Sequence, residues 1–347
     1  MVVLMAKRFL VTGGAGYVGS HVVLALRGRG DEVVVVDDLR TGHRAALPEG
    51  VRLIVGDAGD AALLDPLLSQ GEWHGVLHFA AMSLVGDSMR EPYRYLLENA
   101  VPGIRLIEAC ARHGVRRFVL SSTANLFDQA DRVPIDEATP IIPGSPYGES
   151  KFFLERTLHW ADRIHGLRSA CLRYFNAAGA DPDGRAGEDH TPESHLIPLA
   201  IDAALGRRPP LQVFGTDYPT PDGTCIRDYV HVSDLAQAHL GALDQLGERS
   251  VTYNLGNGQG HSVLQVMRAI ERITGRRVPH VVAARRAGDA AVLVAGSDRI
   301  RRETGWTPRH ADLDDIVATA YAWRLAHPHG YGDEGRPGAP PLHPAGA

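Results

Sequence analysis

Cysteine is nearly missing from this chain: three in 347 residues, Cys110, Cys171 and Cys225, far apart and in no CxxC pair. That spacing excludes a disulfide framework and a cysteine-built zinc site. Each lies in an apolar context, which predicts buried core thiols. Long apolar runs are missing too, since none approaches the roughly 20 residues that cross a bilayer. The opening MVVLMAKRFLVTGG sets its charges after a very short apolar stretch, the reverse of a signal peptide. No membrane partner is expected, and the cytoplasm is the expected compartment. Basic clusters are the third absence: Lys plus Arg number 36 against 41 Asp plus Glu, a net charge of −5, with no block longer than a basic pair. A nucleic-acid binder needs a clustered cationic face. None is expected here, so an anionic ligand must be held by local arginines.

What is present suits a soluble globular enzyme: 44% hydrophobic and 22% charged residues. The length exceeds what one hydrophobic core usually organises, so two domains or one enlarged domain is expected. In the first half, short runs rich in Val, Leu and Ile recur at 8–14, 32–38, 52–57, 75–80, 116–123 and 169–175. They read as strands buried on both faces, the mark of a parallel sheet. Helical stretches such as Tyr17–Arg29, Leu96–His113 and Pro146–His165 alternate with them. The predicted fold class is therefore α/β, a doubly wound parallel sheet of Rossmann type with a smaller mixed α/β domain. Residues 1–175 form the expected nucleotide-binding domain. Beyond Phe175, Gly, Pro and Asp gather in long loops, so residues 176–330 are assigned mainly to a substrate-binding domain, with some segments returning to the sheet. The Pro/Gly-rich end, 331–347, reads as a disordered tail.

The stretch VTGGAGYVGSH follows the first strand and opens a helix, with Gly13, Gly16 and Gly19 spaced three apart. Small residues there let the backbone approach a pyrophosphate, whose charge is held at the helix N-terminus. A tight strand–helix turn also wants glycine, so the turn alone decides little. Asp37, ending the second strand, can accept hydrogen bonds from ribose hydroxyls and would repel a 2′-phosphate, which favours NAD over NADP. A loop-capping aspartate is the competing explanation. Asp57 ends the third strand and can meet an adenine edge.

The stretch SPYGESK contains the most informative pair. Ser145 is a good N-cap and Pro146 suits the first helical position, so Tyr147 begins a helix. Residues four apart share a helix face, which aligns Tyr147 with Lys151. An ammonium and an oxidised nicotinamide nearby favour the phenolate and lower the tyrosine pKa, making it a base near neutrality. Tyr-x-x-x-Lys occurs by chance in many helices. Here it follows both a dinucleotide turn and a strand ending SST.

With those features the chain resembles the extended short-chain dehydrogenases/reductases, in which Thr123, Tyr147 and Lys151 would be the catalytic set. The segments HFAAMSLVGDS, RYFNAAGADPDG, GEDHTPESHLIP, VFGTDYPTPDGTCIRDYVHVSDLA, YNLGNGQGHSV and RRAGD are similar to those of the UDP-glucose (UDP-galactose) 4-epimerases. The likeness runs from about Lys7 to Gly332. It implies NAD as cofactor, a UDP-sugar substrate, no metal, and a homodimer formed through helices spanning Glu91–His113 and Pro146–His165. It implies that Tyr17, Val18, Ala58, Phe79, Ala80, Ala81, Ser83, Asn99 and Phe175 line the NAD site with the three glycines, Asp37, Asp57, Thr123, Tyr147 and Lys151. It assigns Asn176, His195, Leu196, Phe214, Arg227, Arg286, Asp289 and Leu293 to the UDP-sugar. Arginines suit that role because a guanidinium offers paired donors to phosphate oxygens.

Several positions depart from the common pattern. Asn125, Phe127 and Asp128 follow the catalytic threonine where ATVYG-like sequences are usual, and Ser83 stands in place of a lysine. His195 replaces an asparagine beside the uracil. The resemblance implies that residue size at Leu293 tunes tolerance of an N-acetyl group, and a leucine there favours glucose and galactose over N-acetylated sugars. The related 4,6-dehydratases carry Asp-Glu after the threonine; Ala124 and Asn125 cannot supply that proton chemistry. The remaining alternatives are a 4-epimerase for UDP-GlcNAc, UDP-xylose or UDP-glucuronate, and a non-catalytic NAD-bound regulator, which fold alone does not exclude.

Overall fold

The computed structural model describes residues 6–128, 132–247, 249–286 and 289–332. The six expected strands are all present: β1 (Arg8–Thr12), β2 (Glu32–Asp37), β3 (Arg52–Val55), β4 (Gly75–His78), β5 (Arg117–Ser121) and β6 (Arg168–Tyr174). They pair in parallel in the order β3–β2–β1–β4–β5–β6, and a later strand, Val251–Leu255, joins beyond β6. This is the doubly wound sheet the alternating pattern predicts. Strand order reverses between β1 and β4, so a crevice opens at their carboxyl ends, where such folds bind ligands.

Alternation along the strands builds two cores. Phe9, Val11, Val33, Val35, Leu77 and Val119 face one way with the helix Tyr17–Gly28 and the later helix Val232–Asp244. Leu10, Val34, Val36, Val76, Phe118 and Leu120 face the other, beneath Val101–Arg112 and Pro146–His165. The strand β3 corrects the expectation of burial on both faces: it is the sheet edge, and Val55 is exposed. One neighbour and one covered face are all an edge position provides.

The helix expected over Leu96–His113 is interrupted. Leu96–Ala100 forms a π-helical turn before the α-helix Val101–Arg112. Pro102 has no N–H to bond back into the preceding turn, and a wider turn accommodates that gap. The turn also carries Asn99 inward, to near-complete burial.

Beyond β6, Ile226–His231 is the centre of a second, four-stranded sheet with Asn176–Ala178, Gly260–Ser262 and Val292–Leu293. Asp228 in its central strand accepts backbone N–H groups from Asn257, Gly258 and Ala295, tying three distant segments together. Leu211–Phe214 pairs with His280–Ala283 in a separate two-stranded ladder. Of the expected tail, residues 333–347 lie outside the described residues. Tyr331 does not behave as tail. Its ring packs on His43 and Trp323, its N–H donates to Asp189, and its hydroxyl meets the backbone of Gly187. An aromatic side chain with a hydroxyl handle gains enough from such a seat to order a Gly-rich end.

Candidate active site

A cleft of about 1670 Å³ runs along the carboxyl ends of the strands and on between the two sheets. Its walls hold nearly every residue singled out from the sequence.

At one end is the glycine turn. Gly13 has φ of 71°, and a Cβ there would stand 2.3 Å from the Ala80 nitrogen. A Cβ on Gly19 would lie 2.1 Å from the Gly13 carbonyl oxygen. Those two glycines fold the turn onto β4 and onto its own helix. Gly16 differs: a Cβ there meets nothing closer than 3.4 Å. Gly16 is the N-cap of Tyr17–Gly28, and no side chain caps that helix. Its first amides are therefore open to the cleft, with the positive end of the helix dipole behind them. Asp37 performs the loop-capping task as well, accepting N–H groups from Ala15 and Leu39 at 2.9 Å each. A carboxylate has about four acceptor sites, so hydrogen-bonding capacity remains for ribose hydroxyls. Asp57 accepts the Gly59 N–H, and Ala58, Phe79, Ala80, Ala81 and Ser83 continue the wall.

Midway lie Thr123, Tyr147 and Lys151. Ser145 caps the helix Pro146–His165 by accepting the Gly148 N–H at 3.1 Å, and Pro146 occupies the first turn, as expected. Tyr147 and Lys151 are both buried side chains that reach the cleft. Asn125 donates its backbone N–H and its Nδ2 to Thr123 Oγ1, at 3.1 and 3.3 Å. Both bonds end on the oxygen, so the Thr123 hydroxyl keeps its proton free to donate, and its influence on Tyr147 lowers the phenol's pKa. The unusual Asn125 thus orients the Thr123 hydroxyl, while Phe127 is buried beneath the Arg173 guanidinium.

Burial dominates the electrostatics of this pair. Burial pushes the Tyr147 phenol well above its ordinary range, Tyr174 adds to the shift, and the Thr123 hydrogen bond opposes it. Burial brings Lys151 down to about 8. The lysine by itself does not make a phenolate in this pocket. Desolvation penalises both charged forms, so the ion pair needs a further positive charge beside it. His78, hydrogen-bonded through Nδ1 to Thr12 at 2.7 Å, lies near Lys151 and is held neutral, its pKa lowered to about 3 by burial and then by that lysine.

At the far end, residues distant in sequence meet. Arg227 donates to the carbonyls of Ile226 and Ala290 and pairs with Asp289 at 3.3 Å. Arg286 pairs with Asp289 at 2.8 Å and lies 5.0 Å over the Phe214 ring. Asn176, His195 and Leu196 line the same reach, with Leu196 opening the helix Leu196–Ala204. Leu293 packs with Phe127 and Phe175 where the two ends meet.

Asn99 is the exception. Its side chain does not reach the cleft wall; it accepts the Met82 N–H, donates to the Met82 carbonyl and donates to Ser150 Oγ. It fastens the loop after β4 to the catalytic helix. Three features escaped sequence reasoning. Tyr174, whose hydroxyl pairs with Ser121 at 2.7 Å, lines the same cleft as Tyr147 and raises its pKa. Leu39–His43 forms the rim past Asp37. Glu188, His190 and Glu193 gather around His195; their E-x-H-x-x-E-x-H spacing was the signal available.

Residues 9–256 match the Epimerase family model, described as the NAD dependent epimerase/dehydratase family. The chain belongs to that family. Among relatives within the epimerase/dehydratase family, a UDP-glucose 4-epimerase of Azospirillum brasilense is 49% identical over 335 residues, covering 96% of each chain. A crystal structure of a UDP-glucose 4-epimerase superposes with a TM-score of 0.91 at 46% identity, over 94% of this chain and 99% of that one. A Bifidobacterium longum UDP-glucose 4-epimerase, solved with NAD+ and UDP, superposes at 0.89 with 33% identity, over 93% and 100%.

Proposed function

We propose that this protein interconverts UDP-glucose and UDP-galactose by oxidising and rebuilding sugar carbon 4 in one pocket. The observation that carries the reading is the sharing of one cleft by an uncapped helix N-terminus, a Thr123–Tyr147–Lys151 set and an arginine-rich nucleotide end. Near-full-length likeness to UDP-glucose 4-epimerases supports it.

The residues present suit NAD: an open anion-binding turn, an acidic residue ending β2 and a buried lysine beside the tyrosine. Bound there, NAD supplies reversible hydride acceptance at sugar carbon 4. Gly13, Gly16 and Gly19 would hold its pyrophosphate, Asp37 its adenosine ribose and Lys151 its nicotinamide ribose. Tyr147, as phenolate, removes the proton of the 4-hydroxyl, with Thr123 bridging the two oxygens. A 4-keto sugar results. Arg227 and Arg286 grip the diphosphate while the sugar turns over, and Tyr147 returns its proton to the carbon-4 oxygen as that carbon takes the hydride back on its opposite face. Binding energy spent on the UDP keeps the intermediate from escaping. Residues 1–175 serve the cofactor and 176–330 mainly the UDP-sugar.

We also assign a homodimer. Tyr93, Leu97, Ile104, Phe153, Trp160 and Ile164 are all exposed, on the stretches flanking and including Val101–Arg112 and Pro146–His165. Apolar groups concentrated this way mark an interaction face. Among the described residues no helix is long and apolar enough to cross a membrane.

The test is turnover without added cofactor. The purified protein should convert UDP-galactose to UDP-glucose, and do so faster than it converts UDP-GlcNAc, UDP-xylose or UDP-glucuronate. Preference for another sugar would redirect the specificity; no turnover of any would refute the catalytic reading.

A further inference from the structure

The segment carrying Glu188, His190, Glu193 and His195 sits between the two ends of the cleft. One ligand-capable atom from each lies within 4.8 Å of all the others. Two imidazoles and two carboxylates are a hard-to-borderline N₂O₂ set, the donors that zinc-class divalent ions take in tetrahedral sites. A zinc tetrahedron with bonds of about 2.1 Å has edges of about 3.4 Å, so small side-chain movements would close this cluster on an ion.

A second observation points the same way. Glu193 has a side chain only 10% exposed, and its Oε2 has no hydrogen-bond partner. His190 Nδ1 faces the same carboxylates, 3.3 Å from Glu188 Oε1 and 3.7 Å from Glu193 Oε1. Buried polar atoms are normally satisfied, so an unpartnered carboxylate oxygen inside this four-residue cluster calls for a partner.

The cluster is also framed. Glu193 Oε1 accepts the N–H groups of Ser194 and His195, which fixes the carboxylate. Trp323 Nε1 donates to the Glu188 carbonyl, Tyr331 holds Gly187 and Asp189, and Tyr17 packs edge-on against His190. Such supporting contacts orient ligands before a metal arrives.

We propose that Glu188, His190, Glu193 and His195 form a binding site for one zinc-class divalent cation at the junction of the cofactor and nucleotide ends of the cleft. The ion would draw in the His195 ring, now paired with Glu188. It has no part in the hydride chemistry, and the proposal stands or falls independently of it. The competing arrangement is an ion-paired cluster that takes no metal.

Chelator-treated full-length protein, titrated with cobalt(II) and then zinc(II), tests this. The account expects one equivalent of cobalt with the intense visible absorption of a four-coordinate ion, displaced stoichiometrically by zinc. The three cysteines are buried and do not compete. His190→Gln and Glu193→Gln should each weaken binding at least about tenfold, as loss of a ligand does, while His280→Ala should not. Wild-type protein showing only the weak spectrum of hydrated cobalt would overturn the proposal, whatever the variants do. Binding unaltered in folded His190→Gln and Glu193→Gln proteins would overturn it equally.

Discussion

In the proposed mechanism two ionisable side chains carry the chemistry, and burial acts on them in opposite directions. Tyr147 is held above its ordinary range and Lys151 is brought down to about 8. Desolvation alone favours the neutral phenol and weakens the ammonium; a cationic ring alongside would shift that balance toward phenolate. Tyr147→Phe should lower turnover by about 10²–10⁴, the usual worth of a positioned proton acceptor, while calorimetry shows UDP affinity unchanged. Loss of UDP affinity instead would make the hydroxyl structural. Lys151 also carries a stability signature. Its folded pKa lies below the 10.5 of a free lysine, so the unfolded chain holds the proton more firmly between pH 8 and 10.5. Stability from this residue therefore rises with pH across that window. Lys151→Met should melt higher than wild type at pH 7, and the gap should shrink as pH approaches 10. A gap independent of pH would show that the lysine is not buried as a cation.

The strand–turn–helix unit at the N-terminus joins sequence to site most directly. Gly19 lies so close to the Gly13 carbonyl that no Cβ fits. Gly19→Ala should therefore open the turn, and purified protein should carry at least tenfold less NAD, measured by absorbance after denaturation, with a stability loss of about 1–3 kcal/mol for the overpacking. Retention of full NAD would mean the turn relaxes freely. These elements were legible because short-range rules govern them: Val/Leu/Ile runs for strands, Ser-Pro for the start of the catalytic helix, glycines for the turn. What was not legible depended on tertiary partners. Nothing in Asn99 itself says that it faces Met82 and Ser150; the π turn ahead of Pro102 decides that. Edge exposure of β3 follows from strand order, which periodicity does not contain. The raised Tyr147 pKa required knowing how completely the pocket is covered, and the seat of Tyr331 required knowing that His43 and Trp323 converge.

Across the whole molecule, one long cleft holds a redox centre between two binding ends, and the reacting sugar must stay inside while its ring is presented twice. The proposed homodimer rests on the exposed apolar residues on and beside Val101–Arg112 and Pro146–His165. Trp160→Glu combined with Tyr93→Glu should give monomer by light scattering where wild type gives dimer; a wild-type monomer would remove the assignment. The central claim is that the hydrogen on carbon 4 leaves and returns within one pocket. UDP-galactose deuterated at carbon 4, incubated with the purified protein and no added cofactor, measures this. The account predicts UDP-glucose with deuterium fully retained at carbon 4; loss of the label to water would contradict it.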